Sequence, residues 1–349
     1  MSALTASTGS PSPSSSSPSG SSGEVKVARG DVKGGIAFGV LAVAVVVLAV
    51  VVPYTVSLGQ LGNLVNLFTL VILGTTWNLL AGYGGMVSVG QQAFIGVGGY
   101  GTFYIADTLG VPLIGAVLCS AVVCVAVAYL ASFLVFRLVG GYFAIGTWVV
   151  AEVIKLLTTQ FDALGGGAGM SLDAFRGTDR VTRVATVYWL ALAVTVIVVL
   201  GTYLLMRSRV GLGLTAIRDE RVAAANVGVS VDRGRRIVYL AAAGGAGLAG
   251  ALIAINNLRV GPESSYSVSY TAAMIFIVII GGIGTIEGPI VGAVLYWVLQ
   301  NQLADLGTWY MVILGVVAIV IVLAAPQGLW GLVTRGKLHA FPVHYRLRG

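Results

Sequence analysis

The chain has 349 residues, of which 57% are hydrophobic and only 9% charged, with a formal net charge of +7 and a mean hydropathy of +0.94. Water-soluble domains carry about 25% charged residues, so the composition excludes a soluble enzyme and reads as a polytopic membrane protein. The cations cluster at the edges of apolar runs rather than in one basic face, which argues against a nucleic-acid partner.

Residues 1–33 form a Ser/Pro-rich tail that cannot bury apolar surface and is expected to be disordered and cytoplasmic. It is not read as a signal peptide, because the first apolar run begins near Ile36 and is long enough to span. The apolar runs predict spans at Ile36–Val56, Leu61–Leu80, Met86–Thr108, Leu113–Phe136, Tyr142–Phe161, Val184–Met206, Ile237–Ile255, Tyr270–Ile283, Ile290–Leu303 and Trp309–Ala325. A span needs about 20 apolar residues, so Tyr270–Ile283 and Ile290–Leu303 read as half-spans or broken helices. The expected fold is all-α, a polytopic membrane helical bundle of eight to ten transmembrane helices over residues 34–333, with a basic tail at 334–349. The runs lack the alternation of an outer-membrane barrel, so helices do the spanning. Cys119 and Cys124 share one apolar run, which argues against a structural disulfide and leaves the redox compartment open.

Charge orients the spans. With the N-terminus inside, fifteen cations fall on the inner side and four (Arg176, Arg180, Arg183 and Arg259) on the outer, with Lys155 inside a span. That bias obeys the positive-inside rule. It puts both termini and the loop 207–236 in the cytoplasm, and the loops Asp162–Arg183 and Asn256–Ser269 outside. The loop 207–236 holds seven arginines. In its centre Leu214, Ile217 and Ala224 recur at helical spacing, with Arg218, Glu220 and Arg221 between them and Gly228 as a stop. Composition leaves two readings: a solvated connector, or an amphipathic helix that docks on a cytoplasmic partner.

Candidate chemistry is sparse. Gly96–Gly101 and Gly245–Gly250 both match G-x-G-x-x-G, but each lies in membrane-length apolar sequence with no preceding strand, where Gly permits close helix approach. Gly331–Lys337 is nearly a phosphate-binding loop, yet Leu338 stands where the Mg²⁺-binding hydroxyl belongs. No catalytic residues, metal site or cofactor are expected on this chain, and any ATP hydrolysis must occur on another subunit. Glu152 and Lys155 sit i, i+3 within a span and can pair on one helix face. Asn78, Ser88, Gln91 and Gln92 are polar at membrane depth, around a break at Gly82, Gly84 and Gly85. A second break carries Gly281, Gly282, Gly284, Thr285, Gly288 and Pro289. Paired breaks point to a translocation path. A secondary transporter or a channel working without an ATPase remains an alternative on these features alone.

The residues Asn78–Gly85, Ser88–Phe94, Gly98–Tyr100, Gly141–Phe143, Ala151–Lys155, Ala216–Asp219, Ala223–Ala224, Gly228, Gly281–Thr285, Gly288–Ala293 and Pro326–Gly331 together resemble the permease subunits of branched-chain amino acid ABC importers, the LivM-like member, over about residues 36–333. The resemblance implies a coupling helix at Leu214–Gly228, contacting the ATPase through Leu214, Ile217, Arg218, Asp219, Glu220, Ala223, Ala224 and Gly228. There the general importer pattern appears as Val222–Gly228, with Val222 in place of an acid. It implies a path lined by Asn78, Ser88, Gln91, Gln92, Tyr142, Glu152 and Thr285. Many family members have His where Gln91 stands, so a role requiring imidazole is excluded. The implied partners are a sibling permease in a heterodimer, two cytoplasmic ABC ATPase subunits, an external solute-binding protein and the bilayer of the cytoplasmic membrane. Urea and short-amide permeases share much of the pattern, and Ala93-Phe94 favours the amino acid branch.

Overall fold

A computed structural model describes residues 26–28, 50–173, 175, 177, 179–219, 221–226, 228, 230–303, 307, 309–325, 328–333 and 346–348. Most of the tail 1–33, most of the expected span Ile36–Val56, Glu220 and most of the tail 334–349 lie outside them.

The fold is an all-α membrane bundle. Helix α1 is Leu58–Asn78, continuing as a π-helical turn at Leu79–Tyr83. Helix α2 is Gln92–Phe103, continuing in π form to Thr108; α3 is Leu113–Val135; α4 is Gly141–Thr159; α5 is Arg180–Arg207. Two short helices follow, α6 at Arg209–Asp219 and α7 at Arg221–Asn226. Then come α8 at Val231–Asn257, the single turn α9 at Pro262–Ser265, α10 at Val268–Gly281, α11 at Gly288–Leu303, α12 at Trp309–Ala324 and α13 at Gly328–Val333. Among the described residues, seven helical stretches are long and apolar enough to cross a membrane. Helices α2 and α11 are shorter, at 12 and 16 residues. A strand β1 (Lys26–Ala28) pairs with β4 (Arg346–Arg348), and β2 (Met170–Ser171) with β3 (Arg259–Val260).

Helices α1, α2 and α8 form the centre. The α1 stretch is 78% buried and the α8 stretch 67%, whereas α4 is 22% buried. Glycine explains how α2 and α8 cross so closely. A Cβ at Gly98 would collide with the Gly247 carbonyl, and one at Gly250 with the Ile95 carbonyl. The two G-x-G-x-x-G patterns are thus packing surfaces of facing helices, as membrane helices use small residues.

The boundaries differ from expectation in two places. The third expected span, Met86–Thr108, is not helical before Gln92, because Gly84 and Gly85 (φ +63°) turn the chain and residues 85–91 run in irregular backbone. The expected coupling helix is helical on both sides of residue 220, as α6 and α7. Finally, α8 starts at Val231, six residues before the expected span. Asp232 in its first turn suits the positive end of the helix dipole. Arg233, Arg235 and Arg236 therefore lie within the helix rather than in a loop flank.

Candidate coupling and translocation site

The two glycine breaks meet. Asn78, at the end of α1, reaches the second break with both ends of its amide. Its Oδ1 accepts from the Gly284 N–H at 2.8 Å, and its Nδ2 donates to the Thr285 carbonyl at 2.6 Å. Any side chain on Gly82 would run into Asn78 and stand 2.7 Å from the Gly284 nitrogen, so Gly82 makes the room for this contact. Thr285 organises the break from within: its Oγ1 donates to the Gly282 carbonyl at 2.8 Å and accepts from the Gly288 N–H at 3.0 Å. Gly282 and Gly284 have φ of +129° and +75°, a region where a Cβ is strained. Gly288 and Pro289 then open α11, where a missing N–H costs no helical bond.

The irregular segment before α2 is held by side chains in place of helical bonds. Trp77 Nε1 donates to the Ser88 carbonyl at 2.9 Å, Ser88 Oγ accepts from the Gly90 N–H at 3.2 Å, and Thr147 Oγ1 of α4 accepts from the Val89 N–H at 3.2 Å. Buried backbone polar groups need such partners. At the next turn Gln92 Oε1 accepts from the Thr271 hydroxyl of α10. Gln91 is completely buried, and neither atom of its amide has a hydrogen-bond partner among the described residues.

Helix α6 lies over both breaks. Its apolar face, Leu214 and Ile217, is buried and packs toward Gly234 at the start of α8. Its exposed Arg218 lies on the break side. The Arg218 Cα is 3.8 Å from where a Gly85 Cβ would stand, and Nη1 is 2.6 Å from where a Gly284 Cβ would stand. Tyr83 lies within electrostatic reach of both Arg218 and Glu287. Glu287 itself is buried beside the second break, and its Oε1 has no hydrogen-bond partner. In α7, Ala224 is buried, and after it Gly228 has φ +84°, as a helix stop requires. The side chains of Asp219 and Ala223, and all of Glu220, lie outside the described residues.

The expected path residues separate into two groups. Asn78, Ser88, Gln91, Gln92 and Thr285 gather at and just beyond the breaks. Tyr142 and Glu152 do not join them and sit on the exposed face of α4, with Tyr142 74% exposed. Lys155 pairs with Glu152 at 3.4 Å and with Glu263 of α9 at 2.9 Å, tying the C-terminal half of α4 to the segment before α10.

Two residues carry more than their sequence context indicates. Arg235, expected to anchor a span end, is buried. Its Nε donates to Met86 Sδ at 3.2 Å, and its guanidinium lies 4.9 Å from the Phe136 ring centre and 5.9 Å from that of Phe143. It clamps α8 to the irregular segment and to the α3–α4 turn. Glu287 is the second, a buried acid beside a glycine break in an apolar region, a signal that the sequence carries.

A family profile described as branched-chain amino acid transport system / permease component matches residues 59–323. The chain is 28% identical over 310 residues to the high-affinity branched-chain amino acid transport system permease protein LivM of Salmonella typhimurium, covering 79% of this chain and 71% of that protein. It is also 28% identical over 303 residues to the LivM protein of Escherichia coli, with the same coverage. No solved structure matches. The chain belongs to the branched-chain amino acid transport system permease family, as a multi-pass membrane permease subunit of an ATP-binding-cassette importer.

Proposed function

We propose that this subunit imports branched-chain or other hydrophobic amino acids across the cytoplasmic membrane, driven by ATPase subunits that grip α6 and α7. The observation that carries the mechanism is the seat of Arg218 against Gly284, with its own backbone beside Gly85. A displacement of α6 is then transmitted directly to both helix breaks, through the Asn78 bridge that ties them together. The permease relatives named for high-affinity branched-chain amino acid transport support the substrate class. No cofactor is proposed on this chain.

The path runs along the exposed face of α4 and is closed by a sibling permease in a heterodimer. A charge at mid-bilayer costs roughly 2.5–3.5 kcal/mol. Glu152 lies seven residues from the end of α4, about 10 Å along the helix axis, and its side chain is 48% exposed. A water-filled seam accommodates that carboxylate, and the Lys155 paired with it at 3.4 Å, better than lipid does. In this reading Tyr142 and Glu152 line the seam, while Asn78, Ser88, Gln92 and Thr285 form the hinge behind it. Gln91 supplies an unused amide for the alternative conformation. The termini and α6–α7 face the cytoplasm, and the loop Asp162–Arg183 receives an external solute-binding protein.

Co-purification tests the coupling. ATPase subunits should remain bound to the wild-type chain and be lost when Arg218 and Asp219 are both changed to Ala. An ATPase retained unchanged by the double variant removes α6 from the coupling role.

A further inference from the structure

We propose that the chain holds one anionic phospholipid in a groove between α3, α5 and α8, with the headgroup on Arg236. The groove is about 370 Å³, almost wholly apolar, and open to the side of the bundle. Val125 of α3, Gly201 and Thr202 of α5, and Leu240, Gly244 and Leu248 of α8 line it. Leu240, Gly244 and Leu248 recur every four residues, so they form one stripe along α8, roughly 12 Å long.

Arg236 is the next position of that stripe toward the α6–α7 loop. On α3, Val125, Tyr129 and Phe133 extend the facing stripe in the same direction. The Arg236 guanidinium lies 5.7 Å from the Tyr129 ring centre and 5.1 Å from that of Phe133. Its Nε is buried with no hydrogen-bond partner, and it forms no ion pair with a carboxylate among the described residues. The rings hold the cation one turn beyond the groove's lining and leave its Nε without an acceptor among the described residues. A phosphodiester supplies the missing acceptors and a hydrocarbon chain fills the slot, which is the pattern of a basic pocket between membrane helices. Arg235, one residue earlier, is turned inward onto Met86 and takes no part.

Native mass spectrometry of the full chain tests this, with phosphatidylglycerol, phosphatidylcholine of the same acyl chains, and glycerol phosphate as probes. The wild type should retain phosphatidylglycerol about fivefold more tightly than phosphatidylcholine, the weight of one Arg at a headgroup, and should not retain glycerol phosphate. Arg236→Gln should equalise the two lipids, and Arg236→Lys should keep the preference. Gly201→Leu should lose both lipids and keep the wild-type thermal midpoint, because a Cβ there meets nothing within 4 Å. Equal retention of the two lipids by the wild type overturns the proposal, as does unchanged phosphatidylglycerol binding in Gly201→Leu. Glycerol phosphate bound as tightly as the lipid would make this a bare anion site. A Gly201→Cys variant that cross-links in full yield to another protein chain would overturn the proposal and give the groove to a helix. None of these readouts depends on the transported substrate.

Discussion

Asn78 shows how one side chain joins segments some two hundred residues apart. Both ends of its amide are used, on Gly284 and Thr285. Asn78→Leu preserves bulk and leaves a part-buried N–H and a part-buried carbonyl unpaired, at up to about 1–3 kcal/mol for each orphaned group. The thermal midpoint of the purified chain, followed by Trp fluorescence, should fall by several degrees; an unchanged midpoint would mean the bridge contributes nothing. Gly284→Ala should abolish uptake, since its φ is +75° and its methyl would press on Arg218; vesicle uptake assays at matched protein levels would register this. The polar residues near the breaks were legible in the sequence as unusual at membrane depth. Their work as hinge staples was not, because Thr147 and Thr271, which complete the network, carry no local signal and arrive from distant helices. Arg235 was illegible for a related reason. Charge beside an apolar run looks like a membrane edge until the helix start at Val231 sets which way each Arg turns.

At the scale of elements, the crossing of α2 and α8 depends on absent side chains. Gly250→Leu should abolish recovery of monodisperse protein in size-exclusion chromatography, because a Cβ there strikes the Ile95 backbone. Gly201→Leu, on the open face of α5, is the matched control. Helix α4 permits a test of the proposed seam. Tyr142→Cys in a Cys119→Ser background should react with a membrane-impermeant maleimide in the assembled importer, at a rate that changes when ATP is bound. A cysteine that never reacts would place that face against lipid. The apolar runs revealed nearly every helix, since hydropathy alone decides what lies in a bilayer. They overstated α2, because Met86–Gln91 is apolar enough to look like membrane helix while its backbone is irregular. Leu214 and Ile217 were legible by spacing alone, and both are buried.

For the whole molecule, the central claim is that motion of α6 is transmitted to two bridged helix breaks and there becomes transport. The most direct measurement is uptake by vesicles containing this chain and the proposed sibling permease, ATPase subunits and binding protein, with ATP supplied on the ATPase side. The account predicts accumulation of leucine, isoleucine or valine against a gradient with wild-type protein. It further predicts that Arg218→Ala abolishes accumulation while the assembly hydrolyses ATP. Accumulation undiminished by Arg218→Ala would contradict the coupling route. No ATP-driven accumulation of any branched-chain amino acid, with urea or a short amide accumulating in its place, would contradict the substrate assignment.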